Sequence, residues 1–287
     1  MTLEECITEA AQRMEISGLA YGHGTDNAWD ESACLVLHSL GLPVTEQADL
    51  TLQLDDQQLA SARTLVEKRI RTRKPAAYLI GTTWFAGLPF DTAEGVIVPR
   101  SHLADFILDE GQPWVVANDI HRVLDLCTGS GCIAIAAACS FPGAQVDGTD
   151  IDPLALQLAR QNVAKHSLGD QVNILDSNLY QHVTARYDLI LSNPPYVPSA
   201  TLEQLPPEYQ HEPSRAFDGG TDGLDLVHRI INEAGSHLTE QGALVMEVGD
   251  SWKTLQDSRP ELPFIWLETG VEDSGVFLLY ARDLRSL

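Results

Sequence analysis

A chain of 287 residues with 44% hydrophobic content has enough length for one large domain, or for a medium domain with a smaller partner. Its 18 basic and 41 acidic residues give a net charge of −23, which disfavours a bare nucleic-acid backbone as main partner and favours a cationic protein. No apolar run approaches the roughly 18 residues that span a bilayer, and Met1-Thr2-Leu3-Glu4-Glu5 lacks the basic flank of a signal peptide, so a cytoplasmic protein outside the membrane is expected. The five cysteines form no CxxC pair and the nine histidines no HExxH arrangement, which argues against structural disulfides and zinc.

Residues 1–74 read as helices. Leu3, Cys6, Ile7, Ala10, Ala11 and Met14 share one helical face, and a second run, Leu35, Val36, Leu37 and Leu40, stops at Gly41. The last helix ends in Arg63, Lys68, Arg69, Arg71, Arg73 and Lys74, just before Pro75, where cations suit the helix dipole. The simple reading of this cluster is a solvated helix end; the sharper one is contact with RNA that accompanies a substrate. A domain boundary at 74 leaves 7 basic and 12 acidic residues before it, net −5, and 11 and 29 after it, net −18. Residues 75–98 have β-type composition around glycine and proline, as in Tyr78-Leu79-Ile80-Gly81 and Trp84 to Phe90, and are expected to form a hairpin connector.

Residues 99–287 form the third expected unit, and from about 120 strand and helix patterns alternate. Strands are predicted over 122–126, 144–149, 172–176, 187–192, 242–248, 263–268 and 275–281, with helices over 131–139, 153–166 and 223–237. Right-handed crossovers then build a mostly parallel sheet of seven strands between helical layers, the last two strands antiparallel, with a ligand crevice at the strands' carboxyl ends.

The first of these strands runs into Asp125-Leu126-Cys127-Thr128-Gly129-Ser130-Gly131, a strand, glycine turn and helix in succession that lets the backbone approach a ligand closely. At the end of the next strand Asp150 is placed to accept hydrogen bonds from two ribose hydroxyls, so a nucleoside cofactor is implied. The glycines also satisfy a dinucleotide fingerprint and leave nicotinamide chemistry open. Asp125 beside Thr128 tilts the choice, because an acid there suits the cationic methionine end of S-adenosylmethionine and opposes a pyrophosphate. Asp176, ending the third strand, reads equally as an adenine contact or a helix N-cap.

The fourth strand ends in Asn193-Pro194-Pro195-Tyr196, a turn fixed by two prolines at the ligand edge. Such a turn aims the Asn193 carboxamide oxygen and the Pro194 carbonyl into the crevice, where they can accept both hydrogens of an NH₂ group on a planar carbon. An amide nitrogen is a poor nucleophile, so it must be positioned and polarised; two acceptors do both without a strong base. Tyr196 either packs on the target amide or forms a wall.

These residues resemble the HemK-type protein glutamine methyltransferases over essentially the whole chain. Further marks are Arg73-Lys74-Pro75, Tyr78, Gly81, Val98-Pro99-Arg100, Glu212-Pro213, Gly219 to Leu224 and Glu247-Val248-Gly249. Tyr21-Gly22-His23-Gly24-Thr25-Asp26 to Glu31 and Pro99-Arg100-Ser101 are similar to the branch that modifies the third protein of the large ribosomal subunit, although His102 and Asp105 depart from its usual proline and glutamate. The resemblance implies a Rossmann-like class I S-adenosylmethionine-dependent methyltransferase fold. It implies cofactor contacts from Asp125, Thr128, Gly129, Gly131, Asp150, Asp176 and Asn193, catalysis by Asn193, Pro194 and Tyr196, and substrate contacts from Arg100, Pro195, Tyr196 and Glu212. The implied partner is a basic ribosomal protein, with residues 1–74 recognising it. A release-factor substrate, an adenine amino group on nucleic acid, a nicotinamide oxidoreductase and a cofactor-bound interaction module remain as rivals.

Overall fold

The structure is a computed structural model that describes residues 1–44, 48–270 and 274–285. Three helices open it, α1 (Leu3–Ile16), α2 (Ala28–Ser39) and α3 (Asp56–Thr72). Thr2 and Asp55 begin α1 and α3 with reciprocal capping boxes, and Asn27 caps α2, so each start satisfies N–H groups the helix leaves unpaired. The six apolar residues predicted to share a face of α1 are the six it buries, against Leu35, Val36, Ala62 and Val66 of α2 and α3.

The short helix α4 (Ala76–Ile80) follows, then the hairpin β1 (Thr82–Phe85) and β2 (Leu88–Asp91). The Tyr78-Leu79-Ile80 stretch, expected to be extended, is therefore helical. Pro75 supplies a helix start that needs no N–H donor, Gly81 closes the turn, and Leu79 and Ile80 pack onto the helical core.

The remainder runs α5 (Leu103–Leu108), β3 (Arg122–Leu126), α6 (Cys132–Ser140), β4 (Gln145–Asp150), α7 (Pro153–Lys165), β5 (Val172–Asp176), β6 (Tyr187–Ser192), α8 (Asp225–His237), β7 (Leu238–Glu247), α9 (Trp252–Ser258), β8 (Ile265–Trp266), β9 (Val276–Tyr280) and α10 (Ala281–Leu284). The sheet has seven strands in the order β5-β4-β3-β6-β7-β9-β8, with β9 antiparallel between β7 and β8. Alternation along the strands divides the core in two. Val123, Val146, Leu189, Leu191 and Val245 pack under α5, α6 and α7, while Leu124, Leu126, Ile190, Leu244 and Met246 pack under α8, α9 and α10. Strand order reverses between β3 and β6, and pairing of Leu126 with Ser192 brings the turn after β3 beside Asn193. That switch point is where an open α/β sheet leaves its ligand crevice.

The basic cluster at the end of α3 is only in part a solvated helix end. Arg69 is fully buried: its Nε pairs with Glu31 at 2.7 Å, its Nη1 lies 3.5 Å from Glu208, and its Nη2 donates to the Ala20 carbonyl. Arg73, in the left-handed cap position, pairs with the same Glu208 at 2.8 Å, and Lys74 pairs with Glu94. Lys68 and Arg71 alone among residues 68–74 of this cluster point outward. Helical periodicity requires this, because Arg69 falls on the same face as Ala62 and Val66. Arg69→Glu should therefore cost about 3–5 kcal/mol, the range for stranding a buried charge, while Arg71→Glu should stay within about 0.5 kcal/mol. Urea unfolding of the two variants distinguishes them, and equal midpoints would contradict a buried Arg69.

Candidate active site

The turn after β3 is built around the backbone. Cys127 adopts φ +60, a left-handed conformation costly for a residue with a Cβ, and Gly131 at φ +82 starts α6. A Cβ on Gly131 would stand 3.2 Å from that of Ala159, so glycine here lets α6 and α7 approach. The Gly129 N–H donates to Asp150 at 2.9 Å, and the second Asp150 oxygen accepts from Asp152 N at 2.9 Å. Burial raises the Asp150 pKa, opposed by these backbone N–H groups. The carboxylate thus sits on the crevice wall, oriented by the turn it borders.

Asp125 lies beneath that turn and not on the crevice surface. Its Oδ2 accepts from the Thr128 hydroxyl at 2.5 Å and from Ala134 N at 3.1 Å, while its Oδ1, also buried, has no partner. Burial pushes its pKa up to about 7, against the pull of those two donors. Gly131 and Asp176 likewise stand off the crevice lining, and no helix begins after Asp176, so it caps none.

The Asn193 corner follows β6. Asn193 Nδ2 donates to the Arg100 carbonyl at 3.1 Å, which fixes the carboxamide and leaves Oδ1 as acceptor. Among the described residues neither that oxygen nor the Pro194 carbonyl receives a protein donor, and Asn193, Pro194, Pro195 and Tyr196 all line the crevice. The Tyr196 hydroxyl donates to Glu247 at 2.9 Å, and burial, then Glu247, hold its pKa well above the usual range. Gly249 must lack a side chain here, because a Cβ would lie 2.7 Å from the Tyr196 ring.

Opposite stands Arg100, whose guanidinium meets Glu212 through two bonds of 2.9 and 2.7 Å. It also lies over the Tyr209 and Phe217 rings at 5.7 and 5.6 Å. Glu212 itself is closed off from the crevice and accepts a further bond from Val98 N. Its burial acts to raise its pKa, but His23 and Arg100 outweigh that and bring it to about 2.

Several members of this site carry no local signal in the sequence. Glu247 bridges Tyr196 to Ser101 and His102 N, His23 reaches Glu212, and Arg215 crosses the crevice to pair with Asp152 at the start of α7. Glu247, His23 and Arg215 lie far along the chain from these partners, and only the motif context of Glu247-Val248-Gly249 and Tyr21 to Glu31 marked two of them in advance. The crevice has a volume of about 520 Å³, in the size range of small-molecule sites. Its two arginines, Arg100 and Arg215, are both neutralised by carboxylates, which leaves the Asp150 side with an acid and, among the described residues, no free cation for a pyrophosphate.

Folded Asp125 keeps its proton from the ordinary carboxylate range near 3.8 up to about 7, whereas the unfolded chain has released it. Stability should then fall as pH rises across that window and level off above it, and Asp125→Asn should lose that part of the slope. Urea unfolding of both proteins across the window tests this, and parallel curves would mean that Asp125 is not protonated when buried.

Residues 109–204 match the family model of the methyltransferase small domain. The chain is 43% identical, over 99% of its length and 97% of the relative's, to the ribosomal protein uL3 glutamine methyltransferase of Bordetella pertussis. It is 40% identical to the protein of that name from Neisseria meningitidis, over 99% of this chain and 94% of the other. A methyltransferase from Pyrococcus furiosus has the same fold, with a TM-score of 0.51 at 18% identity over 68% of this chain and 89% of that one. The chain belongs to the family of ribosomal protein uL3 glutamine methyltransferases.

Proposed function

We propose that the chain methylates a glutamine side-chain amide nitrogen of ribosomal protein uL3, with S-adenosylmethionine as methyl donor. The observation that carries this reading is the Asn193 carboxamide, tied through Nδ2 to the Arg100 carbonyl so that Oδ1 and the Pro194 carbonyl offer two acceptors at one crevice edge. S-adenosylmethionine, when bound, supplies an electrophilic methyl group; Asp150, Thr128 and Gly129 would hold its nucleoside end. The two acceptors receive hydrogen bonds from both N–H groups of the substrate NH₂, hold the nitrogen in line, and stabilise the positive charge that develops on it as the methyl group leaves sulfur for nitrogen, one N–H proton then passing to solvent. Tyr196, fixed by Glu247, is the wall against which the planar amide lies. Pro195 completes that wall, and Arg100, held by Glu212, closes the opposite side.

The helical residues 1–74 serve substrate recognition, since Gly22 and Asp26 from that part line the same crevice as Asn193. Ribosomal proteins that pack on RNA are cationic, and the net charge of −23 favours their approach. An accessory contact with ribosomal RNA would fall to Lys68 and Arg71, because Arg69, Arg73 and Lys74 are engaged in ion pairs. A cytoplasmic location accords with such a substrate, and no described helix is long and apolar enough to cross a membrane.

Asp150→Ala should weaken S-adenosylmethionine binding by roughly 1.5–3 kcal/mol, the cost of removing a charged acceptor, while Asn193→Ala should spare cofactor binding and abolish turnover. Calorimetry and rate measurements on both variants decide this; cofactor affinity lost in step with rate in Asn193→Ala would contradict its role. The substrate is tested by offering uL3 and peptide-chain release factors at equal concentration and locating the methyl group by mass spectrometry. Methyl on a uL3 glutamine is the expected result. Preferential release-factor methylation would overturn the substrate, and methyl on adenine in added RNA would overturn the protein reading.

A further inference from the structure

The segment 207–212 is gripped by the helical part at three points. Glu208 pairs with Arg69 and Arg73 and accepts from Ala20 N, His211 bonds the Thr72 carbonyl, and Glu212 meets His23. The third contact differs from the others because of what lies beyond it. His23 is buried, its ring 4.5 Å from that of Tyr209, with Nε2 3.1 Å from Glu212 Oε2. Glu212 then fixes the Arg100 guanidinium and Val98 N, and the Arg100 carbonyl orients Asn193 Nδ2. At its other end the His23 loop is anchored by Thr25, whose hydroxyl donates to Glu31, the partner of Arg69.

We propose that His23 is a positioning residue for methyl transfer: by supporting the Glu212 carboxylate against Arg100, it lets the helical part hold the Asn193 carboxamide in its amide-accepting orientation. Glu212 is a charged group closed to solvent, so a partner lost on the His23 side is not replaced by water, and the carboxylate shifts toward what remains. A shift of Glu212 acts on the strap backbone through the Val98 N–H as well as on the Arg100 fork, and so on the Arg100 carbonyl that fixes Asn193. A misplacement on the order of 1 Å at such a group can cost about a hundredfold in rate. None of these residues except Asn193 is among those assigned to the cofactor, so its affinity should be spared. This inference rests on the role given above to Asn193 as acceptor of the substrate amide.

The test compares His23→Phe, which keeps the ring packing against Tyr209 but removes the nitrogen, with His23→Gln, whose amide nitrogen can occupy the Nε2 position. His23→Phe should lower kcat on the ribosomal protein by on the order of ten- to a hundredfold, with KM and S-adenosylhomocysteine affinity within about twofold. His23→Gln should restore most of the rate. Should His23→Phe fail to fold, His23→Asn, too short to reach Glu212, replaces it. A second readout needs no turnover: the Asn193 side-chain amide resonances, assigned by their loss in Asn193→Ala, should shift or broaden in His23→Phe and recover in His23→Gln. Wild-type kcat in His23→Phe, equal losses in both variants, losses confined to KM or cofactor affinity, or an unmoved Asn193 resonance pair would each overturn the proposal. A wild-type protein inactive on uL3 would instead refute the functional reading, since the resonances report the coupling independently.

Discussion

Glu212 is ionised with its side chain closed to solvent, and the side of the crevice that bears Arg100 and Asn193 is arranged around that fact. A buried carboxylate is tolerated only when it is paired and hydrogen-bonded, and here the Arg100 fork and the Val98 N–H bond it while His23 Nε2 stands 3.1 Å from its Oε2. Those three partners come from the strap before α5 and the loop between α1 and α2. One carboxylate thereby draws the helical part, the strap and the 207–217 loop onto a common point. Arg suits the central position because its planar fork grips both oxygens and still stacks on Tyr209 and Phe217.

The cofactor side is held by different physics. The register of β3 against β6 and β4 delivers Cys127, Gly129, Asp150 and Asn193 to one end of the sheet, and the two apolar cores keep that register because a one-residue slip would exchange buried and exposed faces. Asp125 is carried on the β3 face that bears α6, which is why it ends beneath the turn with one oxygen unpartnered. The Asp150 end of the crevice is thus set by burial and backbone bonds, whereas the Arg100 end is set by ion pairs. Asn193 is the residue where the two meet.

Charge is distributed to match. Arg69, Arg73, Arg100 and Arg215 are each consumed by a carboxylate, and Arg13 and Arg63 pair with Glu67 and Glu9 on the surface. The field presented to an approaching macromolecule is consequently acidic, and a cationic protein gains from it over distances of about 8 Å at physiological salt. Steering of this kind raises the encounter rate and selects a class of partner; the fit at the crevice selects the member.

The amino-acid sequence by itself determined the helical face of α1, the alternation of strands and helices beyond residue 120, the glycine turn after β3, the acid ending β4 and the Asn-Pro-Pro-Tyr turn. Each of these is a local pattern, in which residues a few positions apart share a face or force a turn, so periodicity and spacing reveal it. The helical form of Tyr78 to Ile80 escaped because five residues are too few for a period to emerge and packing on the first helices decided the matter. The burial of Arg69, the seat of Asp125 below the crevice, and the chain of contacts from His23 through Glu212 and Arg100 to Asn193 were decided only by the tertiary structure. Arg100 lies 112 residues from Glu212 and 93 from Asn193, and across such separations a charged side chain carries no mark of whether it will meet water or a partner. That outcome depends on which surfaces the packed elements close off, and it exists only once they are packed.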